Sequence, residues 1–180
     1  MPFTALREAV ASLQPPGRRF DFRGDWHGRQ VVDDYAHHPS EVAATLGMAR
    51  LMLQSGRSPL PSLPSRIMAV FQPHRYSRTA QFLDGFAQAL SQADAVLIAP
   101  LYTAGEEPIE GISSEALGRA IQRLAPDLQV LVAGSLDELA EQVASTSLAG
   151  DLVLAMGAGD VNGLWDRLAS LRQADRQLVA

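Results

Sequence analysis

Four short segments of the 180-residue chain hold most of the side chains able to do chemistry: Asp33-Asp34-Tyr35-Ala36-His37-His38-Pro39-Ser40, Gln72-Pro73-His74-Arg75-Tyr76-Ser77-Arg78-Thr79, Tyr102-Thr103-Ala104-Gly105-Glu106-Glu107-Pro108 and Gly157-Ala158-Gly159-Asp160. In His74-Arg75-x-x-Arg78, two guanidiniums stand where a helix would begin. There the free N–H groups and the helix dipole also favour negative charge, which makes a site for a carboxylate or phosphate. The alternative is that Arg75 and Arg78 pair within the chain with Asp33, Asp34 or Glu106. Asp33-Asp34 could ligate Mg²⁺, accept ribose hydroxyls or cap the following helix. His37, His38 and His74 could suggest zinc, but adjacent His residues project differently and no Glu-x-x-His or His-x-x-x-His spacing exists. Gly157-Ala158-Gly159 is either a fragment of a phosphate loop or a tight strand-to-helix turn. Ser40 and Ser77 lie near His, yet no Gly-x-Ser-x-Gly elbow is present. Arg18-Arg19 reads first as a solvated pair and second as a ligand contact.

Composition narrows the field further. All 15 basic residues are Arg and there is no Cys. Without Lys there is no P-loop and no Schiff-base or PLP chemistry, and without Cys there is no thiol nucleophile, disulfide or thiolate metal site. A net charge of −5 argues against nucleic acid or an anionic membrane as partner. The longest apolar runs, such as Asp94 to Leu101, fall far short of the roughly 20 residues that span a bilayer, and no signal-peptide pattern opens the chain. A protein without membrane insertion is expected, and the missing Cys fits a cytoplasmic one. With 47% apolar and 19% charged residues, a single globular domain can bury an ordinary core.

Periodicity supplies the elements that must carry these segments. An amphipathic stretch, Phe3 to Leu13, ends in the breaker Pro15-Pro16-Gly17. Strand patterns at Arg19–Arg23 and Gln30–Asp33 flank an expected hairpin loop, Gly24–Gly28. Pro39 opens a helix with Val42, Leu46, Ala49 and Leu53 on one face, ending at Ser55-Gly56 before a Pro- and Ser-rich loop to Ser65. Strands are expected at Ile67–Phe71, Asp94–Ala99, Leu128–Val132 and Leu152–Met156. Helices are expected at Thr79–Ala93 (Phe82, Phe86, Leu90), Ser113–Leu124 (Leu117, Ile121, Leu124), Ser135–Ser147 and Val161–Leu171. The third of these should open with a capping box of Ser135 and Glu138. Apolar strands without polar alternation, separated by helices, mean a sheet covered on both faces. The expected fold is a three-layer α/β domain with a mostly parallel sheet of about six strands and an N-terminal hairpin at one edge. In such sheets ligands bind outside the carboxyl ends of the strands, so all four chemical segments should share one rim.

Asp33-Asp34-Tyr35-Ala36-His37-His38-Pro39, Phe71-Gln72-Pro73-His74-Arg75-Tyr76-Ser77-Arg78-Thr79 and Tyr102-x-Ala104-Gly105-Glu106-x-Pro108-Ile109-x-Gly111 together resemble the C-terminal domain of the UDP-N-acetylmuramate:L-alanine ligases, the MurC branch of the Mur ligase family. Arg18-Arg19-Phe20 and Gly157-Ala158-Gly159 fit the same family, and the likeness runs from about Phe3 to the last helix. It implies a Rossmann-like domain that closes over ATP and supplies the amino-acid pocket of a ligase in peptidoglycan synthesis. In that reaction the muramate carboxylate is phosphorylated, and the L-alanine amine displaces phosphate. Carried onto this chain, His74, Arg75 and Arg78 would hold the L-alanine carboxylate. Tyr35 and His37 would line the junction of nucleotide and amino acid, Asp33 would face the ATP ribose, and Arg19 would approach the phosphates. ATP and Mg²⁺ would be held mainly by a central domain with the P-loop, and UDP-N-acetylmuramate by an N-terminal domain. Neither domain is in this sequence. The expected layout is a linker remnant over 1–17, the ligase domain over 18–173 and a frayed tail over 174–180, with no complete catalytic set and no metal ligands of its own. The loop from Ser55 to Ser65 looks longer than is usual for the family. A free-standing module for a small carboxylate or a nucleotide, derived from such a ligase, is the alternative.

Overall fold

In the computed structural model, which describes residues 17–178 with side chains through Arg172, six strands form one sheet in the order β1-β2-β6-β3-β4-β5. They are β1 (Asp21–Trp26), β2 (Arg29–Asp34), β3 (Arg66–Phe71), β4 (Ala95–Ile98), β5 (Gln129–Val132) and β6 (Asp151–Met156). The described helices are α1 (Pro39–Ser55), α2 (Tyr76–Leu90), α3 (Ser114–Leu124), α4 (Leu136–Thr146) and α5 (Leu164–Leu178), the last preceded by a 3₁₀ turn, Asp160–Gly163. Among the described strands the β1–β2 hairpin is antiparallel and every other pairing is parallel. This is the expected three-layer architecture, with the hairpin at one edge.

The layers follow from the residue pattern. β6 is buried along its whole length and β3 over its last five residues, because helices cover both sheet faces and leave no side for polar alternation. Val42, Leu46 and Ala49 of α1, Phe86 and Leu90 of α2, and Leu117 and Ile121 of α3 pack on one face, against Val32, Phe71, Val96 and Leu154. Leu139 and Val143 of α4 and Leu164 and Leu168 of α5 cover the other, against Val31, Met68, Leu97 and Val153. Leu46 is fully buried in the first cluster, so Leu46→Ala is expected to cost about 2–5 kcal/mol of unfolding free energy, read from urea denaturation.

Several boundaries differ from the sequence expectation, each for a local reason. The hairpin loop is not Gly24–Gly28 but the two residues His27 and Gly28, both at positive φ (51° and 79°), because Trp26 pairs with Arg29 and Asp25 with Gln30. That is the turn geometry matching strand twist; the register shift between Phe22 and Gly24 marks a bulge. α2 starts and stops three residues earlier than expected. Its first turn is capped from outside, by Glu106 accepting from the Ser77 amide at 3.0 Å, a partner that local sequence does not display. Ser135 does cap α4 through the Glu138 amide, but Glu138 returns its carboxylate to Gly134 N rather than to Ser135. The reciprocal box forms instead at α1, where His38 is the N-cap and Glu41 the partner. The Pro-rich loop is tied down by the buried Gln30, whose amide exchanges two hydrogen bonds with the Ser62 backbone. α5 continues to Leu178, into the segment expected as a tail. The linker expected over 1–17 lies, apart from Gly17, outside the described residues.

Candidate functional site

Parallel pairing places the ends of β2, β3, β4 and β6 on one rim, so the four chemical segments come together as expected. Contacts run without interruption across it. The Arg19 guanidinium lies 5.7 Å from the Tyr35 ring centre. Tyr35 meets the His37 ring edge-on at 5.0 Å, and His37 faces His74 at 6.2 Å. His74 stacks on Tyr102 at 5.3 Å, and its Nδ1 lies 3.3 Å from Arg78 Nη1. His74, Arg75, Arg78, Tyr35, His37 and Arg19 therefore border a single surface.

The arginine end is built on a strained turn. Arg75 takes φ 71° to swing the chain from β3 into α2, held by its amide donating to Tyr102 O at 2.8 Å. Its side chain is half-exposed and its nearest carboxylate is Glu106, at 3.9 Å. Among the described residues no carboxylate pairs with Arg78 within 4 Å. Of the sequence alternatives, the pairing with Asp33 or Asp34 is not what forms. Because a guanidinium only donates, its contact makes His74 Nδ1 an acceptor and puts the ring proton of the neutral form on Nε2. Burial, then Arg78, His37 and Arg75, lower the His74 pKa below its ordinary value, which keeps the ring neutral at pH 7 as an Nε2–H donor. Nitrogen-15 NMR of the His74 ring is expected to show that tautomer unchanged from pH 7 to 9; an Nδ1–H signal overturns the assignment.

The opposite end is organised by carboxylates that face inward. Asp33 is 2% exposed and receives Arg18 Nε at 2.9 Å, with Nη2 at 3.5 Å. Arg18 also donates to the carbonyls of Gly157 at 2.6 Å and Gly159 at 3.4 Å. Far from being a solvated residue, Arg18 fastens the start of the hairpin to the ends of β2 and β6. Asp34 accepts from the Phe20 and Ala36 amides, both at 2.8 Å, so it is a loop-builder and not a cap of α1. Burial opposes the Glu41 carboxylate, yet the amides of His37 and His38 and the His37 ring hold its pKa below the usual value. His38 lies over Phe82, turned toward α2. Among the described residues no group of three or more His, Asp or Glu could hold a metal ion.

Three participants escaped sequence reasoning. Arg18 was visible as a residue type but not its partners, and Glu106, already named as a possible partner of Arg75, was not expected to hold Ser77. Gln72 is the third: it is 2% exposed, donates to Asp160 Oδ1 at 2.7 Å and Pro100 O at 3.2 Å, and accepts from Val161 N at 3.0 Å. A glutamine closing an apolar strand is itself the signal, since a buried amide must find partners. The glycine segment fits beneath it. Gly157 donates its amide to Asp34 O and both glycine carbonyls face Arg18, which favours the tight-turn reading over a phosphate loop. A Cβ on Gly159 would overlap Gln72 Oε1 and approach Tyr102 Cβ at 2.9 Å. Gly159→Ala is expected to lower the thermal midpoint by several degrees, corresponding to about 1–3 kcal/mol of overpacking.

The model of a family described as Mur ligase, glutamate ligase domain, matches residues 18–159. The UDP-N-acetylmuramate–L-alanine ligase of Synechococcus sp. (strain CC9605) is 66% identical over 170 residues, covering 94% of this chain and 36% of that protein. The enzyme of the same name from Prochlorococcus marinus (strain MIT 9313) is 61% identical, covering 98% and 36%. This chain thus spans about a third of the length of these curated relatives. Among solved structures, the UDP-N-acetylmuramate-alanine ligase MurC of Thermotoga maritima superposes with a TM-score of 0.67 at 24% identity, over 96% of this chain and 35% of that one. A FolC structure from E. coli gives 0.59 at 20%, over 100% and 36%; these two likenesses speak to the fold. Since the family match runs from Arg18 to Gly159 and so takes in three rim segments whole and the fourth up to Gly159, this chain belongs to the Mur ligase family, as a C-terminal domain of that family.

Proposed function

We propose that the chain is the amino-acid-recognising domain of an ATP-dependent ligase that joins L-alanine to UDP-N-acetylmuramate. The observation that carries this is the cluster of His74, Arg75 and Arg78 on an exposed rim, with Arg78 in contact with His74 and with no carboxylate among the described residues. It occurs in a chain 66% identical to a protein of that name. A planar fork beside a neutral Nε2–H donor suits one carboxylate, held by charge-assisted hydrogen bonds.

Tyr35 and His37 sit between this cluster and Arg19, where amino acid and nucleotide would meet. Arg19 is exposed and can turn toward phosphate oxygens. A direct contact from Asp33 to the ribose requires Arg18 to release Oδ1, from which its Nη2 stands 3.5 Å. When bound, ATP would supply the phosphoryl group that activates the muramate carboxylate, with Mg²⁺ balancing its charge. The donors among the described residues suit a partial wall for ATP, and the remaining ligase domains are the proposed main holders of ATP and Mg²⁺. Among the described residues no helix is long and apolar enough to cross a membrane; the UDP-linked substrate of the proposed reaction supports a cytoplasmic setting.

The test is reconstitution. The complete ligase bearing this domain is expected to form the alanine amide with ATP and UDP-N-acetylmuramate, whereas the 180-residue chain alone forms none. Micromolar binding of alanine or ATP by the chain alone, seen by calorimetry, would instead support the free-standing module.

A further inference from the structure

One charged group on the rim is unused by that reading. Glu106 lies in the loop after β4, where Ala104 (φ 50°) and Gly105 (φ 82°) turn the chain back on itself. Its carboxylate accepts from Ser77 N at 3.0 Å and from Ser77 Oγ at 2.7 Å, and stands 3.9 Å from Arg75 Nη1. α2 has no acidic residue in its first turn and its N-cap, Arg75, makes no side-chain cap. The anion position that a helix N-terminus offers is thus filled by a carboxylate borrowed from another loop. The Ser77 amide and hydroxyl, with Arg75 nearby, hold the Glu106 pKa below the usual carboxylate value, so the charge is present at neutral pH.

Consider the charge that remains. Arg75 and Arg78 bring two positive charges, neutral His74 none and Glu106 one negative, leaving one net positive charge. That balances a single carboxylate. With Glu106 removed, two guanidiniums and the open N-terminus of α2 would form a site for a dianion such as phosphate. Phosphate is the wrong ligand for a pocket that must choose an amino-acid carboxylate beside ATP.

Building on the carboxylate-pocket reading, we propose that Glu106 is a specificity-determining residue. It occupies the helix N-terminus and shares Arg75, so that the pocket accepts one carboxylate and refuses dianions.

Binding of inorganic phosphate to the 180-residue chain, measured by calorimetry, tests this directly. Glu106→Gln, nearly isosteric and uncharged, is expected to bind phosphate at least about fivefold more tightly than the unsubstituted chain. Adding Arg78→Ala is expected to abolish the gain. Ser77→Ala keeps the charge but loosens its anchor, and should move affinity the same way by a smaller factor, which covers the case of a Glu106→Gln chain that does not fold. Equal phosphate affinity in the folded variants and the unsubstituted chain, including no binding by any of them, overturns the proposal. The measurement is independent of the ligase assay. A ligase that turns over alanine while phosphate affinity stays unmoved removes the Glu106 role alone. A ligase inactive toward alanine removes the functional reading.

Discussion

Arg78→Ala in the complete ligase is expected to lower kcat/KM for L-alanine about 10²-fold while leaving KM for ATP within about twofold. The magnitude follows from what the side chain does. Arg78 is partly buried, holds its fork beside His74 Nδ1 at 3.3 Å, and pairs with no carboxylate among the described residues, so its charge is available to a ligand. Losing a charge-assisted pair of hydrogen bonds costs about 3 kcal/mol in a partly dry site. The alanine also loses orientation, so kcat falls together with binding. Arg75→Ala should cost less, because Arg75 is half-exposed and already shares its charge with Glu106. Arg78→Lys should recover only part of the loss, since an ammonium presents a point charge where two parallel donors are needed. Alanine turnover unchanged in Arg78→Ala would remove this residue from the pocket.

The second large effect is expected from Arg18→Ala, and it falls on stability. Asp33 is nearly inaccessible and its described hydrogen bonds come from Arg18, so removing the guanidinium leaves a buried carboxylate without its counter-charge. Breaking such a pair costs about 3–5 kcal/mol when fully buried. The Arg18 side chain is 21% exposed, so water enters the gap and about 3 kcal/mol is the better figure. Chemical denaturation of this chain measures it. Arg18→Ala with Asp33→Asn should recover more than half of the loss, because the orphaned charge is gone. Arg18→Lys should recover little, because the Asp33 carboxylate and the carbonyls of Gly157 and Gly159 lie around a fork and cannot all be met by one ammonium. A loss below about 1 kcal/mol for Arg18→Ala would show that the fastening is ornamental.

Much of this was legible one residue at a time. The apolar runs of β3, β4 and β6 and the helical spacing of Val42, Leu46 and Ala49 identify the elements, because burial on a sheet face or a helix stripe leaves its period in the chain. The parallel order of those elements then puts His74, Arg75, Arg78, Tyr35 and His37 on one rim before any coordinates are known. Where the expectations slipped, long-range partners had intervened. α2 begins early because Glu106, 29 positions after Ser77, caps it; the hairpin closes on two residues because β1 pairs deeper into its own loop than the strand pattern showed.

What residue types and spacing determined for this protein is its architecture, the location of its rim and the arginine-rich character of one end of that rim. What three dimensions alone decided is which charges cancel. Asp33 turns inward to Arg18, Asp34 to the backbone, Glu106 to the head of α2, and Arg78 is left with no carboxylate partner among the described residues. The reason is physical. Hydrophobic periodicity is written locally, since each residue meets solvent or core on its own account, whereas an ion pair depends on two side chains that only the folded backbone brings within a few ångströms.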